Sequence, residues 1–134
     1  MQLPRDGNAY IRRLYFNTND NVNIYTTASI PLVAPSAPLQ YLQLARLNST
    51  FGVIVYRNPN DNWKVWTSVI DTSGSQLVVW PATMVNPGTG KGFGFGVSVA
   101  AVAPDRLVFS YNDANSQAFV QDASVCGTSV VLGR

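Results

Sequence analysis

Between Tyr56 and Trp66 the chain reads YRNPNDNWKVW, gathering two indoles, a phenol, a guanidinium, a carboxylate and several amides around one turn. A flat aromatic ring gives a ligand a large apolar contact with a polar tip, and a few convergent polar groups set its orientation. Here Trp63 supplies the ring, while Tyr56, Arg57, Asn60 and Asp61 supply groups that can bond hydroxyls. That combination suits a carbohydrate or a protein surface. Trp63 and Trp66 are three positions apart, so strict strand alternation sends them to opposite faces, with Trp63 the exposed one. A later turn repeats the polar part as Asn112, Asp113 and Asn115 but has Ala118 where Trp63 stands, so the site is not duplicated in full. The same aromatics also suit plain packing between sheets.

Catalytic chemistry is poorly supplied. The 134 residues contain no His, and all seven acids are Asp. General acid–base work would fall to Asp, Lys, Tyr or Cys. Asp61, Asp71, Asp105, Asp113 and Asp122 sit nearly all in expected turns, where Asp bonds its own backbone. A carboxylate pair spanning two turns would resemble a glycosidase arrangement, but spacing alone does not establish one. The chain reads as a non-enzyme, with no catalytic residue, no cofactor and no metal site, since His is absent and Cys126 is alone. Cys126, at an alternating position in DASVCGTSVVL, is expected to be a small core residue. GTGKGFGFG (88–96) lacks the spacing of a phosphate loop and reads as a join whose glycines let Phe93 and Phe95 pack. Asn48 in Asn48–Thr50 is a glycosylation acceptor sequence.

A net charge of +2 without clustered Lys and Arg argues against nucleic acid. Arg12 and Arg13 are adjacent, but in a strand they point to opposite faces. No apolar run approaches the ~20 residues of a membrane-spanning helix, and MQLPRDGN has no signal-peptide character.

The residues that position these groups are β vocabulary. Charged residues make up 12%, against about 25% in ordinary domains, while Asn, Ser, Thr, Val, Gly and Pro abound. The pattern is stated more than once. Shifted by fifty-five positions, Leu42, Leu44, Ala45 and Leu47 fall on Val97, Val99, Ala100 and Val102. Val53 then falls on Val108, Tyr56 on Tyr111, and Val65 on Val120. A two-residue gap in the next turn places Gly74 on Gly127 and Leu77 on Val130. Asn8–Tyr25 matches Asn62–Trp80 at nearly the same offset. One all-β domain over 1–134 follows, with a half unit at 8–30 and full units at 39–81 and 94–133. Each full unit holds four strands in an antiparallel meander, joined by hairpin-length turns. Such repeated meanders are the signature of β-propeller blades; a duplicated β-sandwich or barrel is the alternative.

The stretch VSVAAVAPDRLVFSYNDANSQAFVQDASVCGTSVVLG resembles blade repeats of extracellular β-propellers of the integrin-head and tachylectin-like kind. The calcium loop of integrin-type repeats is absent, so calcium is not carried over. About two and a half blades is short of a ring, and open sheet edges need covering. Copies of the chain, a partner supplying the missing strands, or a larger parent protein would each do this. The resemblance implies a multivalent, self-assembling module that binds glycans or protein surfaces outside the cell or on a virion. The competing expectation is a structural subunit of a virion, tail or extracellular assembly.

Overall fold

The computed structural model describes residues 9–17, 20–26, 29–32, 39–85, 96–113, 115 and 117–133. The glycine-rich join at 86–95, with Phe93 and Phe95, lies outside them. Among the described residues there are thirteen strands and one 3-10 turn, and every pairing is antiparallel.

The N-terminal layer is one hairpin in two stretches. β1 (Tyr10–Ile11) pairs with β4 (Ile30–Pro31), and β2 (Leu14–Asn17) with β3 (Asp20–Thr26). Arg12 and Arg13 fall between β1 and β2 rather than within a strand, so alternation does not place them. Arg12 donates to the Ser29 hydroxyl at 2.7 Å, and Arg13 to the Thr72 and Gly74 carbonyls, each at 3.1 Å.

The central sheet runs β5 (Gln40–Arg46), β6 (Phe51–Asn58), β7 (Lys64–Asp71) and β8 (Val78–Val79), with β9 (Thr83–Met84) also on β7. β8 and β9 act as one fourth strand broken around Pro81, which has no N–H to offer a ladder. The Trp80 and Val85 amides bond the Val69 and Val65 carbonyls on either side of the break. The sheet therefore continues past Pro81, where the sequence suggested a join. The C-terminal sheet is the meander β10 (Val97–Ala103), β11 (Arg106–Asn112), β12 (Ala118–Cys126) and β13 (Ser129–Leu132). The described strands close into neither a barrel nor a propeller.

Register makes the repeat physical. Gln43 faces Val55 as Ser98 faces Ser110, and Ala45 faces Val53 as Ala100 faces Val108. These counterparts are fifty-five positions apart. Ile70 faces Val79 as Ala123 faces Leu132, now fifty-three apart. The two-residue gap lies one turn earlier than the letters suggest. Arg57 opposes Val65 and Asn112 opposes Ala118, so Val65 matches Ala118 rather than Val120. Ala118 therefore does not stand in the place of Trp63.

The core has two parts, one on each face of the central sheet. Val53, Val55, Val65 and Val69 pack against Val97, Leu107, Phe109, Ala123 and Val130 of the C-terminal sheet. On the other face, Ile54, Tyr56, Ile70 and Leu77 pack with Leu32 and Leu39, backed by Ile11 and Ile30. Each fully buried Val contributes about 1.5–3 kcal/mol. Cys126 is exposed, contrary to the core placement its pattern suggested. It shares its side of β12 with Ala118, Val120 and Asp122, all of which face outward.

Candidate functional site

At one end of the sheets a single guanidinium ties three segments together. Arg57 closes β6 with only 3% of its surface exposed. It donates to the Trp63 carbonyl at 3.0 Å and to the Asn112 carbonyl at 2.6 Å. Its Nε and Nη2 also reach the Gly96 carbonyl, each at 3.4 Å. Burial lowers the Arg57 pKa, and nearby Tyr41 works the other way; a guanidinium stays charged throughout. Carbonyl dipoles from the central turn, from the residue before β10 and from the end of β11 thus surround one buried cation.

The backbone around it is unusual. Tyr41, Asn62 and Trp63 have φ of 55°, 49° and 61°, and Gly96 has 73°. Asn tolerates the left-handed region and Gly adopts it freely. For a bulky residue such as Trp63 it is an outlier, of the kind that collects at functional sites. The local turn accounts for the entry. Asn58 accepts from the Asn60 amide at 3.0 Å, capping the 3-10 turn Pro59–Asp61, and the Trp63 amide returns to the Asn58 carbonyl at 3.0 Å.

The expected contact residues divide into those this end presents and those it encloses. Tyr56 is buried in the core against the N-terminal layer, so it offers no face to a ligand. Burial raises its phenol pKa, and Ser68 pulls partway back. Arg57 is likewise enclosed and acts by holding backbone. Asp61 accepts from Trp66 Nε1 at 3.0 Å with one oxygen and pairs with Lys64 at 3.1 Å with the other. Trp63 is half-buried rather than fully presented, because it sits in the turn, where strand alternation does not apply. Asn60 is exposed at the turn. Asn112 is brought to Trp63 by the shared Arg57. Asp113 accepts the Asn115 and Gln117 amides at 2.9 and 2.8 Å, the self-bonding expected of a turn Asp. Asn115 is exposed beside it.

Asn48 lies at the far end of β6, away from this cluster. Its Oδ1 accepts from the Thr50 amide and hydroxyl and from the Phe51 amide at 2.9, 3.2 and 2.9 Å. Asp71 accepts from Ser73, and those bonds hold its pKa below the usual carboxylate range. Asp122 pairs with Arg106 at 3.6 Å.

Sequence reasoning missed Tyr41, Asn62, Gly96 and Phe119. Asn62 and Gly96 carry the letters that tolerate positive φ, which is a usable signal; Tyr41 carries none. Phe119 is exposed and stacks on Tyr111 at 5.8 Å between ring centroids. It lines an open groove of about 320 Å³ with Gly96, Ser98, Asn112 and Ala118. Rings, amides and backbone edges are thus available at this end for a ligand's apolar and hydroxyl surfaces. Among the described residues no cluster of metal-ligating side chains occurs. No protein-family model, curated protein or solved structure matches this chain.

Proposed function

We propose that the chain is a non-enzymatic binding module. Its ligand, a glycan or a glycosylated protein surface, meets the Arg57 end through Trp63, Tyr41, Phe119 and the amides of Asn60, Asn62, Asn112 and Asn115. The observation that carries this reading is the left-handed backbone of Trp63, whose carbonyl a buried guanidinium holds, with the left-handed Tyr41 near the same guanidinium. Strain of about 1–3 kcal/mol per residue persists only where surroundings hold it, and at Trp63 Arg57 holds the carbonyl while the Asn58 carbonyl holds the amide. The engagement of Asp61, Asp71, Asp113 and Asp122 in local bonds supports the non-enzymatic part. Two and a half propeller blades, acting outside the cell or on a virion surface, complete the same proposal.

Tryptophan fluorescence titrated with a panel of neutral disaccharides tests it, with a glycan array for larger ligands. Saturable quenching that Trp63→Ala abolishes is expected, with Asn48→Gln unchanged. No saturation and no array signal from the folded chain would overturn the reading. A second reading, a structural subunit of a virion, tail or extracellular assembly, is favoured by the aliphatic side chains left exposed on β5, β10 and β12, among them Leu44, Val102 and Val120. In that case the tryptophans would be insensitive to sugar.

A further inference from the structure

The repeat supplies an internal template for an interface, and one of its surfaces is uncovered. In the central sheet, the face carrying Leu47, Val53, Val55, Val65 and Thr67 packs on the next unit of the chain. Register assigns Val108, Ser110, Ala118 and Val120 as counterparts of Val53, Val55, Val65 and Thr67 in the C-terminal sheet. The offset of fifty-five sets Val102, at the irregularity in β10, against Leu47. Their burial is inverted. Leu47 is 8% exposed and Val102 62%; Thr67 is 0% exposed and Val120 77%. Val131, on the same side, is also exposed. Isolated exposed aliphatics are ordinary; what marks these is that they share one face of one sheet and that the matching face of the central sheet is buried.

What covers this type of face inside the chain is the opposite type of face from a neighbouring unit. The central sheet's own opposite face, with Ile54 and Ile70, is covered by the N-terminal layer, and that of the C-terminal sheet, with Leu107 and Phe109, by the central sheet. The outermost sheet at the other end of the stack is the hairpin β1–β4, where Leu14 is exposed. We propose that the outward face of the C-terminal sheet, centred on Val102, Val120 and Val131, binds the N-terminal hairpin of a second copy of this chain, head to tail. Ser110, Arg106 and Asp122 on that face make it more polar than its buried counterpart, as suits chains that must also be soluble alone. A head-to-tail contact joins unlike patches, so it closes into a ring or runs on as a filament. The assembly face meets the groove beside Phe119 at Ser110, Ala118 and Val120, so Leu14→Asp, which lies outside that groove, is the variant that separates loss of assembly from loss of ligand binding.

Native mass spectrometry and light scattering over a concentration series test the proposal. The wild-type chain is expected to assemble as concentration rises. Val120→Arg should weaken assembly about tenfold or more, and Leu14→Asp should do the same from the other side. Val78→Asp, on an exposed site of β8, should leave it unchanged. Mixing the Val120→Arg and Leu14→Asp chains should restore a pair, because each retains the patch the other lacks. Circular dichroism checks that every variant keeps its sheets. A wild-type chain that stays monomeric at its highest soluble concentration would overturn the proposal. So would a Val120→Arg chain that assembles normally, or a mixture that fails to pair.

Discussion

β6 and β11 are register counterparts, yet they bury their side chains differently. In β6 the run Val53, Ile54, Val55, Tyr56 is buried at every position. In β11 only Leu107 and Phe109 are buried, alternating with Arg106, Val108 and Ser110. The cause is layering. β6 lies in the middle sheet with a neighbour on each face, so neither face tolerates a solvated side chain. β11 lies in an outer sheet and needs one apolar face. A strand covered on both sides reads as a continuous apolar run, and one covered on one side alternates. The same meander, used twice, thus acquires two burial patterns from its place in the stack.

Core substitutions at counterpart positions should break this comparison most sharply. Phe109→Ala should cost about 3–5 kcal/mol and Ile54→Ala about 2–5 kcal/mol, since both occupy the face that is covered in both units. Val53→Ala should cost about 2 kcal/mol, and Val108→Ala less than about 1 kcal/mol, because Val108 is only partly buried. Urea denaturation of the four variants measures the asymmetry, and equal costs for Val53 and Val108 would contradict the layering.

Arg57→Met tests the link between the sheets at the candidate site. It leaves the Trp63, Asn112 and Gly96 carbonyls without their donor, at an expected cost of about 1–3 kcal/mol. Its register counterpart, Asn112→Ala, should cost under about 1 kcal/mol, because the Arg57 bond is to the Asn112 backbone. Amide exchange should accelerate around Trp63 in the Arg57 variant alone.

The first turns of the two units differ next. Asn48→Ala gives the central turn the residue type that its counterpart, Ala103, already has. Three hydrogen bonds to Asn48 Oδ1 are lost, for about 1 kcal/mol, readable as a lowered urea midpoint.

The smallest effect concerns Tyr56 and Tyr111, a counterpart pair whose pKa values are both raised by burial. A raised folded pKa means that each neutral phenol contributes stability fully present below the ordinary tyrosine pKa of about 10. That contribution is lost as pH climbs through the folded value. Tyr56→Phe should flatten the alkaline limb of a stability–pH curve more than Tyr111→Phe does, since Tyr111 is only partly buried.

Much of the fold was legible in the letters. Alternation and Asn, Asp, Gly and Pro clusters located the four strands of each unit, and the offset of fifty-five matched the observed pairing of the first two strands. The gap was misplaced by one turn because Val65 and Val120 are both apolar and alternation recurs every two residues. The site was less legible. Trp63, Asn60, Asn112 and Asn115 were picked out by type and lie at the end that the proposed function uses, but Tyr56 and Arg57 were taken for contact residues and are enclosed. Alternation does not say whether the second face of a strand meets water or another sheet. Tyr41 and Phe119 carried no local mark, since their importance depends on segments brought together from afar.

By itself, then, the sequence determined the β character, the meander and the repeat, all consequences of local propensity and a period of two. Only the tertiary structure decided which meander lies in the middle, which face is left open, and that a buried Arg57 draws Trp63, Gly96 and Asn112 to one end. Those outcomes depend on the stacking of sheets, which is set by contacts between residues far apart in the chain.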